Sequence, residues 1–289
     1  MISSAPIASR RSLSAEQSAL LTLLADEDSA VYGLVRQKII SGGEAARAWL
    51  QPYSLSNDAV LRRHVLEILA YFERQQADTE FLSFCLKSGE DFELETAAWL
   101  LARSTFPTIN REGYAALLDE FAHEAAERMA LETSVEEKLS AFNNYLFSEL
   151  GFVGNVANYY DPDNSYLNRV LDRRTGNPIT LTLLYILVAR RSGMPVTGIG
   201  LPGHFICRYQ SSSDELYIDP FNRGQLLSKA DCVKYLQRGN YSLTDDFLAP
   251  ASPRRMLLRI CSNLHQIYTE VGRGGEVTRF QRYLVALAR

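Results

Sequence analysis

The sequence predicts an α+β protein, mostly helical, in which one apolar helix packs against a small antiparallel sheet between helical-repeat-like flanks. Three observations predict it. Helical periodicity runs almost unbroken from about Ser14 to Leu150. Three short β-type runs then follow one another between Val196 and Phe221, and a two-helix tail closes the chain. Strands that are grouped, and not alternated with helices, argue against a βαβ sheet. The 289 residues suit one large domain or two moderate ones. With 46% hydrophobic and 22% charged residues the composition is that of an ordinary soluble protein. A net charge of -4 and a pI near 5.7 argue against a nucleic-acid partner. No apolar run approaches the ~20 residues that span a bilayer, so no membrane partner is expected and the expected compartment is the cytoplasm. The opening "MISSAPIASRRSLSAEQ" lacks a compact apolar stretch and reads as a frayed tail, not a secretory signal.

The helices declare themselves by spacing and caps. In "NDAVLRRHVLEILAYFERQQ", Val60, Leu61, Val65, Ile68, Leu69 and Phe72 recur every three or four residues behind Asn57 or Asp58 as cap. "DFELETAAWLLARSTFP" turns Leu94, Ala97, Leu100 and Leu101 inward and ends at Pro107. "TSVEEKLSAFNNYLFSELG" opens on a capping box, Ser134 to Glu137, and stops at Gly151. Successive helices on short turns resemble a helical-repeat array, although no fixed period emerges. After Gly151 the chain becomes rich in Asn, Asp, Gly and Pro as far as Pro178. A helix over Pro178–Ser192, closed by Gly193, precedes the strands "VTGIG", "HFICRY" and "ELYIDPF". The second strand alternates, with Phe205, Cys207 and Tyr209 on one face and His204, Ile206 and Arg208 on the other. "SSSD" is a hairpin loop, Ser228 with Asp231 caps another helix, and from Ser252 two helices form a hairpin. The expected domains are 1–131, 132–250 and 251–289.

Phosphate loops of the GxGxxG or GxxxxGK[ST] type are missing, and "GRGGE" lies between helices with no strand before it, so no nucleotide cofactor is expected. Cys85, Cys207, Cys232 and Cys261 are scattered without a CxxC pair, which points to reduced, mostly buried thiols and not to zinc or a disulfide framework. His64, His123 and His265 fall within helical patterns and read as ordinary helix residues. Arg173-Arg174 and Arg190-Arg191 flank the Pro178 helix and read as solvated, the second pair also suiting the helix C-terminus.

Two polar residues stand apart. His204 opens one strand and Asp219 closes the next; antiparallel pairing across "SSSD" brings them to one face and one end. An aspartate bonded to one imidazole nitrogen leaves the other free as a base. A helix N-terminus beside them would add positive potential, and a cysteine there would be an activated nucleophile. The same pair also makes sense as a purely structural strand lock.

The stretches "GNPITLTLLYILVARRSGMPV", "GLPGHFICRY" and "LYIDPFNRG", with "YYDPDNSYLNRVLDRR" upstream, resemble the SirB-type transglutaminase-like family of the papain-like transglutaminase superfamily. The similarity covers roughly residues 132–248, and more weakly the helical front and "RMLLRICSNLHQIY". The C-terminal hairpin resembles the start of a tetratricopeptide-like tail. The resemblance implies a helix beginning "G-x-C", then His, then Asp. His204 and Asp219 fall on the last two positions, but Gly176-Asn177-Pro178 places Pro178 where the cysteine belongs. Proline suits the first helical position but carries no nucleophilic atom.

Thr180 is a weak substitute nucleophile, since threonine commonly caps and packs helix starts. Asn164 and Asn168 are expected to brace a loop over the cleft, and Asn177, Pro178, Thr180 and His204 to line it. Two ligands make a poor metal site, so no metal is expected. The leading expectation is a non-catalytic transglutaminase-like scaffold whose degenerate cleft binds a protein or peptide. The alternative is a cysteine-independent amidase, protease or acyl transferase that uses His204 and Asp219 with Thr180 or an activated water.

Overall fold

A computed structural model describes residues 13–239 and 245–289, so most of the N-terminal tail lies outside the described residues. The chain divides into two compact units, residues 1–77 and 78–289, and the division falls inside a single helix, α4.

The first unit holds α1 (Ala15–Leu24), α2 (Ser29–Ser41), α3 (Gly43–Leu50) and the first part of α4 (Ala59–Lys87). Its core comprises Leu24, Ile39, Leu50, Val65 and Ile68, residues that recur at helical spacing. Asp58 is the α4 cap, its Oδ1 accepting from the amides of Val60 and Leu61. His64 is a core histidine: its Nδ1 lies 2.8 Å from the Leu24 carbonyl and its ring stacks on Tyr32.

The second unit continues through α5 (Leu94–Arg103), α6 (Arg111–Met129) and α7 (Val135–Asn143), the last extended by a π-helical turn over Asn144–Glu149. Helix α5 buries Ala98 and Trp99 as well as Leu94, Ala97 and Leu101, whereas Leu100 stays half-buried. The broader buried face follows from α5 packing on both the Leu167–Arg173 and the Pro253–Glu270 helices, and α5 ends four residues before Pro107, at Arg103. The capping box of α7 forms as written, Ser134 with Glu137, and Gly151 takes a φ of 76° just after the π turn. Two short strands, β1 (Val153–Gly154) and β2 (Thr175–Gly176), pair in parallel around α8 (Leu167–Arg173).

Helix α9 (Pro178–Arg191) is buried on every side from Pro178 to Ala189, which makes it the centre of the second unit. Gly193 supplies the positive φ after it. The sheet has four antiparallel strands in the order β3 (Val196–Leu201), β4 (His204–Gln210), β5 (Glu215–Asp219) and β6 (Gln225–Leu227). Three match the β-type runs of the sequence, of which the second shows alternation; β6 is three residues of mixed exposure, too short to show a period. Phe205, Cys207 and Ile218 face the main core around α9. Ile206, Tyr217 and Leu201 face the opposite way onto Cys232 and Leu236 of α10 (Lys229–Arg238). Helices α11 (Pro253–Glu270) and α12 (Gly274–Leu287) form the terminal hairpin, with α12 starting inside "GRGGE". All four cysteines are free and buried. No described helix is long and apolar enough to cross a membrane.

The basic pairs are mostly not solvated, a correction to the expectation from sequence. Arg191 bridges Glu95 and Asp119, each at 2.7 Å, and so ties α9 to α5 and α6. Arg173 pairs with Asp161 and Asp163. Arg174 lies over the rings of Phe121 and Phe152, and burial lowers its pKa. Arg174 and Arg191 find their partners on elements distant in sequence, which local pattern cannot show.

Candidate functional site

The β4–β5 register pairs Cys207 with Ile218, so the next rung sets Ile206 opposite Asp219. His204 lies two residues from Ile206 and shares its face, diagonally across from Asp219. The contact follows: His204 Nε2 is 2.7 Å from Asp219 Oδ2. The carboxylate is held from several directions. Its Oδ1 accepts from the amides of Phe221 and Asn222, and its Oδ2 also accepts from Asn222 Nδ2 at 2.8 Å. Burial pushes the Asp219 carboxyl up, but the hydrogen bonds from His204 and Asn222 and the charge of His204 outweigh it, leaving the pKa below its ordinary value. An ionised carboxylate only accepts, so Nε2 is the donor in this contact. Nδ1 has no hydrogen-bond partner among the described residues.

Pro178 occupies the first position of α9. Asn177 caps that helix, its Oδ1 accepting from the Thr180 amide and from the Thr180 hydroxyl, both at 3.0 Å. The Asn177 amide donates to the Asn164 carbonyl, and its Nδ2 to Ser165 Oγ. Asn177→Ala should therefore cost about 1–2 kcal/mol, the value of a lost cap, read as a shift in the urea midpoint. An unchanged midpoint would show that the helix start is held by packing alone.

A cavity of about 720 Å³ opens at this end of the sheet, lined among others by Pro178, His204, Asp219, Tyr159, Phe221 and Tyr235. The structure brings Pro178, His204 and Asp219 together there. Thr180 is not among the lining residues; it is fully buried with its hydroxyl turned to Asn177. Asn164 is fully buried and holds the 155–159 loop, donating to the carbonyls of Asn158 and Tyr159 and accepting from Asn155. Asn168 is buried in α8 outside the lining, and its Oδ1 has no partner among the described residues. Cys207 lies on the far face, where its thiol donates to the Thr182 carbonyl, and burial pushes its pKa well up. No group of three or more His, Cys, Asp or Glu among the described residues is arranged to hold a metal.

Several residues that shape the site escaped the sequence reading. Asn222 had a local signal, since "DPFN" is an Asx-turn sequence. Buried Asn143 had none: its Nδ2 donates to the Gly224 carbonyl, its Oδ1 accepts from Tyr185, and it anchors the turn after Asp219 from α7. Gly224 itself needs its φ of 71°, and a Cβ there would meet Asn143 and Phe147 at 2.6 Å. Tyr159, Phe221 and Tyr235 come from three separate segments and meet only in the fold.

A helix start and a His–Asp pair that line one cavity at the end of an antiparallel sheet define a class, and comparison with known proteins agrees. The chain belongs to the transglutaminase-like superfamily, whose family model matches residues 112–262. Within it the chain falls among SirB-type proteins: it is 37% identical over 209 residues to a UPF0162 protein of Xylella fastidiosa, covering 68% of this chain and 72% of that one. A UPF0162 protein of Pseudomonas aeruginosa is 29% identical over 191 residues, 65% of this chain and 69% of its own. F-box only protein 21 of Mus musculus is 34% identical over 145 residues, 47% of this chain and 23% of that protein. No solved structure matches the chain.

Proposed function

We propose that this chain is a non-catalytic transglutaminase-like protein whose cleft recognises a protein or peptide while its helices serve as a scaffold. One observation carries the reading: the first residue of α9, which lines the same cavity as the His204–Asp219 pair, is Pro178. Proline has neither a nucleophilic atom nor an N–H. A helix start stabilises a developing anion through unpaired amides. Here the first position offers none, and the Thr180 amide is already taken by Asn177. The site thus lacks both an attacking group and part of the charge stabilisation that acyl transfer requires. What remains is a cavity with aromatic walls from Tyr159, Phe221 and Tyr235, surfaces suited to apolar peptide side chains. That the matched segment is also a small part of F-box only protein 21 supports a module that works inside larger proteins.

The test has two arms. Thiol- and hydroxyl-directed covalent probes should leave no adduct in the cleft of the wild-type chain. Peptides selected from a random library on that chain should lose at least tenfold in affinity for Tyr159→Ala. Stoichiometric acylation of Thr180, abolished by His204→Ala, would overturn the proposal, as would selected peptides indifferent to Tyr159.

A second reading is favoured by one feature, the imidazole fixed by Asp219 with Nδ1 unpartnered. On that reading His204 activates a water, or Thr180, for amide hydrolysis or acyl transfer. Its Thr180 branch requires a buried hydroxyl to leave Asn177. It needs a measurable hydrolysis or transfer that His204→Ala abolishes with little change in melting temperature.

A further inference from the structure

A second, smaller cavity of about 220 Å³ lies against α11 on the other side of the β3–β4 hairpin tip. Its lining includes Gly200, Phe205, Arg255, Leu258, Arg259 and Ser262, and no acidic residue among the described residues. Arg255, Arg259 and Ser262 follow at i, i+4 and i+7, so all three look the same way along the helix.

Both arginines are placed against the local electrostatics. Like charges one helical turn apart repel. Arg255 also sits in the first turn of α11, at the positive end of the helix dipole, in a turn with no acidic residue. Neighbouring Arg254 shows how this helix settles such a charge. Its guanidinium donates to the carbonyls of Ser88, Ala286 and Leu287 and lies 3.8 Å from Glu90. Among the described residues neither the Arg255 nor the Arg259 guanidinium has an ion pair or a carbonyl to donate to, and the Ser262 hydroxyl has no hydrogen-bond partner. Two fork-shaped donors, of which Arg255 is exposed, and a hydroxyl therefore line one small cavity whose lining among the described residues carries no counter-charge.

We infer that this cavity is an anion site for a phosphate group. A dianion between the two guanidinium groups would cancel their repulsion, accept from both forks and leave an oxygen for Ser262. A single carboxylate can satisfy one fork but leaves the second arginine uncompensated. The residues involved are distinct from those lining the cleft at Pro178, so the inference stands independently of the function proposed for that cleft.

Calorimetric titration of the full chain with inorganic phosphate and with O-phosphoserine tests it. Saturable binding is expected, weakened at least tenfold in Arg255→Gln and in Arg259→Gln but unchanged in the surface control Lys38→Gln. Acetate at matched ionic strength should bind at least tenfold more weakly. Without phosphate, the two arginine variants should melt at or above the wild-type temperature, because each removes a repulsion. Binding of both probes assigns the monoester, and binding of inorganic phosphate alone assigns the free ion. Heats that do not saturate, or equal affinity in wild type and both arginine variants, would overturn the site.

Discussion

Replacing Pro178 with cysteine is expected to create an acidic, reactive thiol where the wild-type chain has none. The new side chain would stand at the first position of α9, lining the same cavity as His204, whose Nε2 is committed to Asp219 and whose Nδ1 is free to hold a proton. A helix N-terminus and an imidazolium both lower a thiol pKa, from about 8.5 to roughly 5.5 or below in such surroundings. At pH 6 that raises the thiolate fraction about 200-fold. The weaker nucleophilicity of a low-pKa thiolate returns roughly 20-fold of this, leaving a net gain of about tenfold in alkylation rate. The more diagnostic observable is the pH profile, which should inflect well below 8.5 and move back up in a His204→Ala background. The four native cysteines are buried and contribute little background. An ordinary thiol profile for Pro178→Cys would mean that His204 and the helix start do not form a nucleophile's frame.

Asp219→Ala is expected to be the most damaging single change at the site, costing about 4 kcal/mol. It would strip the acceptor from His204 Nε2, Asn222 Nδ2 and two backbone amides in one step, and each of these part-buried donors left unsatisfied costs up to about 1–3 kcal/mol before water relaxes it. His204→Ala should cost far less, about 1–2 kcal/mol, because Asp219 keeps its other donors. The pH dependence carries a definite sign. The folded-state pKa of Asp219 is lowered, so below its unfolded value of about 3.9 the unfolded chain binds the proton more readily. The stabilisation is complete above about pH 4 and fades as pH falls through the folded pKa. Urea midpoints of wild type and Asp219→Ala should therefore differ widely at pH 7 and converge in strong acid. A gap that is the same at both ends would show that the ionised carboxylate is not what holds the turn.

Much of this molecule is written locally. Capping boxes at Ser134 and Ser228, the alternation of β4 and the proline and glycine that bracket α9 each depend on neighbours within four residues, and each appears where the spacing places it. Even the His204–Asp219 contact follows from strand register and one short hairpin loop. That α9 begins on Pro178, a residue without a nucleophilic atom, is likewise a fact of the sequence once the helix is identified.

Tertiary structure alone decided the rest. Arg174 is shielded by Phe121 and Phe152, and Arg191 is claimed by Glu95 and Asp119, residues tens of positions away that no local rule connects. Thr180 could be weighed as a nucleophile from its position, but only packing shows it buried and bonded to Asn177. Asn143 fixes the turn after Asp219 through a hydrogen bond spanning 81 positions of sequence. The division has a physical basis: backbone hydrogen bonding and side-chain periodicity act over a few residues and leave a pattern in the chain. The partners of a buried polar group are chosen by which surfaces meet, and only the folded chain determines that.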